Sequence, residues 1–345
     1  MMKNSDLKSI KILLLIIALP ISFYVLKLLS FIFIPLLFSM IVALMFLPLM
    51  RKLNKKKIPK AINLIIVILI IAVFIFLINQ VIQFSGRELM SSENNILMDI
   101  EEKLKETLIF IEQKLGIERI NGESISEHYV QKLNLEDKVN SLIDHIGSIF
   151  SMSLTTVFFT ILLLTESLNF QKILNSTIIK QKRESVKVFM KIERDIITFV
   201  KVKFWVSLFT GIGFSVACYL FDVNFPIFWG LVAFLLNFIQ MIGSIISIII
   251  LALFAFIEID STNVLMFFIL SITGVQVIFG SITEPILMGK SFSINVITIL
   301  IMLMFWGFIW GIPGMILSVP LTVFMKIILE QFPKTNVIAK LMSES

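Results

Sequence analysis

The chain has 345 residues and a formal net charge of +6, with 57% hydrophobic and 16% charged residues. A soluble domain is roughly half apolar and about a quarter charged, whereas the apolar residues here form runs long enough to cross a bilayer. The single Cys and two His exclude an internal disulfide, a thiolate zinc site and an HExxH metalloprotease site, and no P-loop motif occurs. The sequence therefore predicts an all-α, polytopic integral membrane protein that is not an enzyme, with no catalytic residues, metal or cofactor. Any transport would be driven by a gradient or a partner.

The first predicted elements are two membrane helices within residues 12–49, where Pro20, Pro35 and Pro48 are the natural breaks or kinks. A run of basic residues at 51–60 follows them. Because Lys and Arg near the end of a span stay on the cytoplasmic side, we expect this run and the N-terminus inside, with the two helices forming a hairpin. Residues 61–82 are the third predicted span.

The only sizeable polar segment comprises residues 84–147, where acidic residues outnumber basic ones. Apolar residues recur at helical spacing from Ile96 to Leu115, which indicates an amphipathic helix. Asn121-Gly122 indicates a turn before a second helix. The segment is predicted to be a small helical extracytoplasmic insert, either a structural cap or a docking site for a ligand or partner.

A fourth span is predicted at residues 148–164, followed by a strongly basic stretch at 170–203. Such a stretch is typical of a cytoplasmic amphipathic helix lying on anionic lipid. Loop orientation alone explains its charge, so no nucleic-acid partner is predicted.

The second half of the chain contains two similar units in opposite orientation. A span at residues 204–221 is followed by an apolar stretch at 227–257, which is too long for one span and short for two. Its polar middle predicts a pair of half-helices that turn at Gly243. A span at 264–279 is followed by another such stretch at 294–329, interrupted by 310–314 and Pro320. Inverted repeats with interrupted helices form the midplane sites of many secondary transporters. Ordinary kinked helices that pack through small residues are the alternative.

Candidate residues for a solute or ion pathway lie at these interruptions, in the span at 264–279 and at the helix break that follows it. A carboxylate in a membrane is a functional hypothesis by default, and Glu284 could take a proton or hold a cation, or it could be a solvated interfacial residue. The uncharged polar residues could bind a small polar solute or join helices, and the Gly and Pro residues would open helix ends. The candidates are Asn237, Gln240, Gly243, Ser244, Gln276, Glu284, Pro285, Gly289, Gly311, Pro313 and Gly314.

The second half also resembles a known family, the autoinducer-2 exporter family of bacterial transporters. The resemblance is clearest at residues 284–291 and 305–321, and it extends to 228–239 and to Ile242-Gly243. One departure is Gln240, which lies where the family usually has Pro in the segment before the first hairpin's Gly. The resemblance implies an inner-membrane protein with about eight membrane helices, assembled as a homo-oligomer, a pentamer in this family.

The predicted organisation has five parts: membrane helices 1–3 at residues 1–83, the insert at 84–147, the fourth helix with the basic segment at 148–203, the transport core at 204–330 and a cytoplasmic tail at 331–345. Both termini are expected in the cytoplasm, and the lipid bilayer is an expected partner. The leading hypothesis is a secondary transporter that exports a small polar solute such as autoinducer-2. The alternatives are a Na⁺/H⁺ antiporter centred on Glu284 and a non-transporting scaffold.

Overall fold

The computed structural model describes residues 4–81, 83–84, 152–166, 183–289, 294–330 and 336–343. Within these residues the chain is helical, without strands apart from an isolated bridge between Ile294 and Ser343. The predicted insert, apart from Phe84, and the basic stretch up to residue 182 lie outside the described residues. The helices are α1 (Asn4–Leu28), α2 (Ser30–Lys55), α3 (Lys60–Val81), α4 (Met152–Glu166), α5 (Arg183–Leu220), α6 (Pro226–Leu236), α7 (Ile242–Glu258), α8 (Thr262–Gln276), α9 (Glu284–Met288), α10 (Val296–Glu330) and α11 (Asn336–Leu341).

Five of the described helical segments are long and apolar enough to cross a membrane. They are Ser30–Lys55, Lys60–Val81, Glu193–Leu220, Thr262–Met288 and Val296–Glu330. Many large apolar side chains on them are exposed to the surroundings, Phe31, Leu69 and Met304 among them. Such a surface suits lipid rather than water. The polytopic all-α class is confirmed, and a total of about eight membrane helices stays a prediction.

The first two helices are joined by a bend and do not form the predicted hairpin. Leu29 alone connects α1 to α2, whereas an αα-hairpin needs a loop of about two to five residues. The helical backbone hydrogen bonds continue through the junction. The Leu29 N–H donates to the Val25 carbonyl (2.9 Å), and the Leu29 carbonyl accepts from the Phe33 N–H (3.1 Å). The prolines expected as breaks or kinks do not end a helix, since Pro20 lies inside α1 and Pro35 and Pro48 lie inside α2.

Helix α5 is longer than predicted and is the axis of the second half. It runs without interruption from Arg183 to Leu220, across the predicted boundary between the basic segment and the transport core at residue 203. Its close packing against α6 depends on Gly211 and Gly230, because a Cβ at Gly211 would lie 2.6 Å from the Gly230 carbonyl oxygen. Small residues of this kind let membrane helices approach closely.

Helices α6 and α7 form a hairpin, hairpin 1, that enters and leaves at the C-terminal end of α5. Phe225 has left-handed backbone (φ 60°) and Pro226 occupies the first turn, where its fixed φ and missing N–H favour a helix start. At the far end of α7, the Glu258 carboxylate accepts hydrogen bonds from the Asn224 backbone N–H (2.7 Å) and side-chain amide (2.8 Å). The chain therefore returns to the end from which it departed.

Helix α10 consists of two helical halves separated by the non-helical Gly311 (φ 64°, ψ −144°). Together the two halves form a second hairpin, hairpin 2. A Cβ at Gly314 would overlap the carbonyl oxygen of Trp306, although eight residues of straight helix span about 12 Å. The chain therefore folds back on itself. The last residue of the hairpin, Glu330, pairs with Lys191 near the N-terminal end of α5 (3.5 Å). The two hairpins thus open at opposite ends of α5.

Candidate functional site

One face of α5 is polar although it is buried. Lys203, Ser207 and Thr210 recur at the i, i+4 and i+7 spacing of a single helix face. Their exposed fractions are 2%, 0% and 0%. A charged side chain is almost never fully buried unless it is paired, so this face requires partners from other helices.

Lys203 finds its partners on two elements that are remote in sequence. Its ammonium Nζ donates to both Glu284 carboxylate oxygens (2.9 and 3.0 Å) at the start of α9, and to Gln240 Oε1 (2.9 Å) in the turn of hairpin 1. Glu284 is itself only 4% exposed. Three N–H donors therefore meet three oxygens, which replaces the hydration of the ammonium with protein oxygens.

A chain of side-chain amides continues from this ion pair. Asn237, at the end of α6, donates from Nδ2 to the Ser207 hydroxyl (3.0 Å) and accepts at Oδ1 from Gln276 Nε2 (3.3 Å). The Gln276 side chain lies against Gly280, where a Cβ would displace it. We call Lys203, Ser207, Asn237, Gln240, Gln276 and Glu284 the polar cluster.

Two buried polar atoms at the cluster have no hydrogen-bond partner among the described residues. They are Gln276 Oε1 and Thr210 Oγ1. A buried polar group without a partner lowers the stability of the folded protein by roughly 1–3 kcal/mol. The cluster therefore retains the capacity to accept a hydrogen bond from water or from a polar solute.

The turn of hairpin 1 lies at Asn237–Met241 rather than at Gly243, where we expected it. Met241 adopts φ 63° and α7 begins at Ile242. Gly243 lies in the first turn of α7, where a Cβ would overlap the carbonyl oxygen of Leu236, so this glycine permits close contact between the two halves. The Ser244 hydroxyl donates to the Met241 carbonyl (3.0 Å) and is thereby part of the turn.

The sequence between Gln276 and Glu284 is π-helical, from Val277 to Thr283. Single π-helical turns often occur at functional sites in α-helices. After it, Pro285 lies in the first turn of α9 with its ring exposed, and Gly289 ends that helix with φ 58°. Neither Pro285 nor Gly289 is among the hydrogen-bonded residues of the polar cluster.

The interruption of hairpin 2 contacts the N-terminal helices. Trp310 Nε1 donates to the Leu26 carbonyl (3.0 Å) in the last turn of α1, and Lys27 lies over the Phe308 ring, 4.7 Å from its centroid. Among the described residues, Gly311, Pro313 and Gly314 make none of the hydrogen bonds of the polar cluster. Of the predicted site residues, four therefore belong to the polar cluster: Asn237, Gln240, Gln276 and Glu284. The other predicted residues lie outside it.

Sequence reasoning missed Lys203, Ser207 and Thr210. Lys203 closes a run of basic residues, and for that reason we assigned it to the cytoplasmic surface. The available signal was the helical spacing of these three residues, which continues into the apolar sequence of α5. A polar stripe in a helix that is otherwise apolar indicates an interior face.

No group of three or more His, Cys, Asp or Glu side chains in the described part of the chain could hold a metal ion. The charges of the cluster are one ammonium and one carboxylate, which form a neutral pair. Such a site can exchange a proton, bind a cation at its oxygens or hydrogen-bond a polar solute.

Comparison with known proteins identifies the family to which the chain belongs. The sequence pattern of AI-2E family transporters matches residues 13–334. A putative transport protein of Haemophilus influenzae is 25% identical over 92% of this chain and 92% of its own length. The AI-2 transport protein TqsA of Escherichia coli is 26% identical over 91% and 90%. A putative transport protein of Borreliella burgdorferi is 34% identical over 38% and 37%. The match covers most of the chain, so this membrane protein belongs to the AI-2E family of transporters.

Proposed function

We propose that this protein is a secondary transporter that exports a small polar solute, and that the solute passes along the polar cluster. The observation that carries the proposal is a buried row of hydrogen-bonding groups, from Lys203 to Gln276, between helices whose outer surfaces are apolar. Polar residues inside a membrane are energetically expensive and mark substrate pathways by default.

The arrangement of the two hairpins supports an alternating-access mechanism. Hairpin 1 opens at one end of α5 and hairpin 2 at the other. In each hairpin a glycine, Gly243 or Gly314, lies against a carbonyl of the preceding half. This relation is what an inverted repeat would produce, and transporters built from inverted repeats place their sites at the repeat interface. Rocking of one unit against the other would expose the cluster to each side in turn.

Autoinducer-2 is the first candidate solute, because one relative of this chain carries the name AI-2 transport protein. The test is uptake of autoinducer-2 into inverted vesicles that contain the purified protein. We expect Asn237→Leu to lower this uptake by about tenfold or more, the change that about 1.4 kcal/mol would produce, with Asn263→Leu, at an exposed position in the first turn of α8, as the matched control. Equal uptake by the Asn237 variant and the control would refute the proposed pathway.

Sodium–proton antiport is the second candidate, favoured by the Lys203–Glu284 ion pair. Here the carboxylate would bind a cation or a proton in alternation. In vesicles with a pH-sensitive dye, Glu284→Gln would abolish the proton movement that sodium triggers, and Glu166→Gln, at the exposed end of α4, would not. Undiminished antiport by the Glu284 variant would rule this mechanism out.

We propose a homo-oligomer, with the pentamer as the expected form, in the bacterial inner membrane with both termini in the cytoplasm. The basic run at 51–60 supports the inside position of that loop. Because α1 and α2 are joined by a bend at Leu29 and not by a hairpin, the inside position proposed for the N-terminus is supported by its own basic residues, Lys3, Lys8 and Lys11. A cysteine-labelling assay at Ser5 and Ser345 in intact cells tests both ends.

A further inference from the structure

We propose that the Thr210 hydroxyl and Gln276 Oε1 form a subsite that binds a hydroxyl group of the transported solute, which makes that solute a neutral, hydroxyl-bearing molecule. The inference rests on the proposed transport function and names the chemical class of its substrate. It is carried by two buried polar atoms on neighbouring helices that have no hydrogen-bond partner among the described residues.

The two unpaired groups lie at a similar level on two helices that are in contact. The rings of Phe209 and Phe279 stack with their centroids 5.7 Å apart. Thr210 follows Phe209 directly on α5, and Gln276 lies about one helical turn before Phe279. Thr210 and Gln276 are therefore within about one helical turn of the same height.

The Thr210 side chain points into the seam between hairpin 1 and α8. Successive residues of an α-helix are about 100° apart around its axis, so the direction of Thr210 lies between those of Gly211 and Gly213. Gly211 lies against Gly230 of hairpin 1, and Gly213 lies against the Val275 side chain of α8. A side chain between these two directions therefore faces both neighbours.

Gln276 enters the same seam from α8, because its Nε2 donates to Asn237 Oδ1 of hairpin 1 (3.3 Å). Towards the C-terminal end of α5 the seam is apolar. Phe214, one turn after Thr210, and Ile272, one turn before Gln276, belong to one buried apolar cluster. Unpaired polar groups beside such a cluster lower the stability of the fold, and costly polar groups inside a membrane are a mark of function.

A hydroxyl group of a solute complements both atoms. It can accept a hydrogen bond from the Thr210 O–H and donate one to Gln276 Oε1. A carboxylate has no proton to donate and would leave Gln276 Oε1 unpaired. An ammonium group would bring a positive charge, and since the Glu284 carboxylate already neutralises Lys203, that charge would be buried without compensation. The subsite therefore favours neutral hydroxyl compounds over anions and cations.

Variants at the two positions separate a binding role from a structural one. Thr210→Val removes the hydroxyl and keeps the shape of the side chain, whereas Thr210→Ser keeps the hydroxyl. Because the Thr210 hydroxyl and Gln276 Oε1 are unpaired in the structure, Thr210→Val and Gln276→Leu should both fold. Thr160→Val is the matched control. Thr160 is a buried threonine of α4, which contributes no residue to the polar cluster, and its hydroxyl donates to the Thr156 carbonyl (2.7 Å).

The experiment measures the binding of tritium-labelled solutes to the purified full-length protein in detergent by scintillation proximity, where no transport is needed. The probes are four-carbon molecules of different charge: erythritol, which is neutral and hydroxylated, the succinate dianion and the putrescine dication. We expect the wild-type protein, Thr210→Ser and Thr160→Val to bind erythritol more tightly than either charged probe. Thr210→Val and Gln276→Leu should each weaken erythritol binding by about tenfold or more, the ratio that about 1.4 kcal/mol produces.

Two results would overturn the proposal. One is erythritol binding by the wild-type protein that is absent, or no tighter than the binding of succinate or putrescine. The other is equal erythritol binding by the wild-type protein, Thr210→Val and Gln276→Leu, which would mean that the two groups hold only water. If Thr210→Val does not fold, Gln276→Leu makes the same test from the other partner.

Vesicle uptake separates this subsite from the proposed function. Failed uptake of autoinducer-2 together with erythritol binding that depends on Thr210 and Gln276 would refute autoinducer-2 as the solute and leave the subsite standing. Normal uptake by both Thr210→Val and Gln276→Leu would refute the subsite and leave the pathway standing.

Discussion

Removal of one partner of the buried ion pair gives the sharpest test of the structure. In Glu284→Gln, the Lys203 ammonium keeps its Gln240 acceptor but loses the carboxylate that compensates its charge. A solvent-exposed pair is worth about 0–1 kcal/mol, whereas breaking a buried pair by removing one partner costs about 3–5 kcal/mol. Burial decides between these ranges, and at 2% and 4% exposure for Lys203 and Glu284 the larger range applies.

A double-mutant cycle isolates this energy. Glu284→Gln and Lys203→Met should each lower the free energy of unfolding by about 3 kcal/mol or more. The double variant should lose much less than the sum of the two, because it buries no unpaired charge, and the coupling should reach about 3 kcal/mol, the upper end of measured values. Unfolding is followed by helical circular dichroism during SDS titration in detergent micelles. A coupling near zero, with small single effects, would show that the two charges are solvated and do not form the buried pair.

Two further predictions concern the turn of hairpin 1 and the amide chain. Gly243→Ala should lower the free energy of unfolding by about 1–3 kcal/mol, since the new methyl group would overlap the Leu236 carbonyl oxygen. Gly274→Ala is its control, because nothing lies within 4 Å of a Cβ there and Ala favours a helix over Gly by about 0.5–1 kcal/mol. Equal destabilisation of both would contradict the described turn. Gln276→Leu should change the free energy of unfolding by less than about 1 kcal/mol, because the loss of the donor to Asn237 Oδ1 is offset by removal of the unpaired Gln276 Oε1. SDS titration measures it, and a loss of about 2 kcal/mol or more would mean that Gln276 Oε1 has a partner that stabilises the fold.

The class of the protein and the positions of most helices could be predicted from the sequence, because hydrophobic length is a strong physical constraint in a bilayer. The span predicted at residues 61–82 corresponds to α3 (Lys60–Val81). The interrupted stretch at 227–257 is indeed two helices, α6 and α7. Membrane helices tolerate Pro, however, so Pro20, Pro35 and Pro48 gave wrong positions for the break that occurs at Leu29.

Only part of the site could be predicted, because local sequence makes some of its residues stand out and others not. Asn237, Gln240, Gln276 and Glu284 are conspicuous because they are polar residues in apolar surroundings. Lys203 is not conspicuous, because it is the last residue of the basic stretch at 170–203 and loop charge suggested a cytoplasmic position. Its partner is 81 residues away, and no local pattern indicates that separation.

The same separation has a consequence for biogenesis. A ribosome adds about 5–20 residues per second, so Glu284 is synthesised about 4–16 seconds after Lys203, given the 81 residues between them. Gln240 follows Lys203 after only 37 residues, or about 2–7 seconds at the same rate. During membrane insertion, Lys203 therefore has the hairpin 1 amide as its first available ligand and receives its counterion last. The insertion of α5 as a stable span must wait for the chain as far as α9.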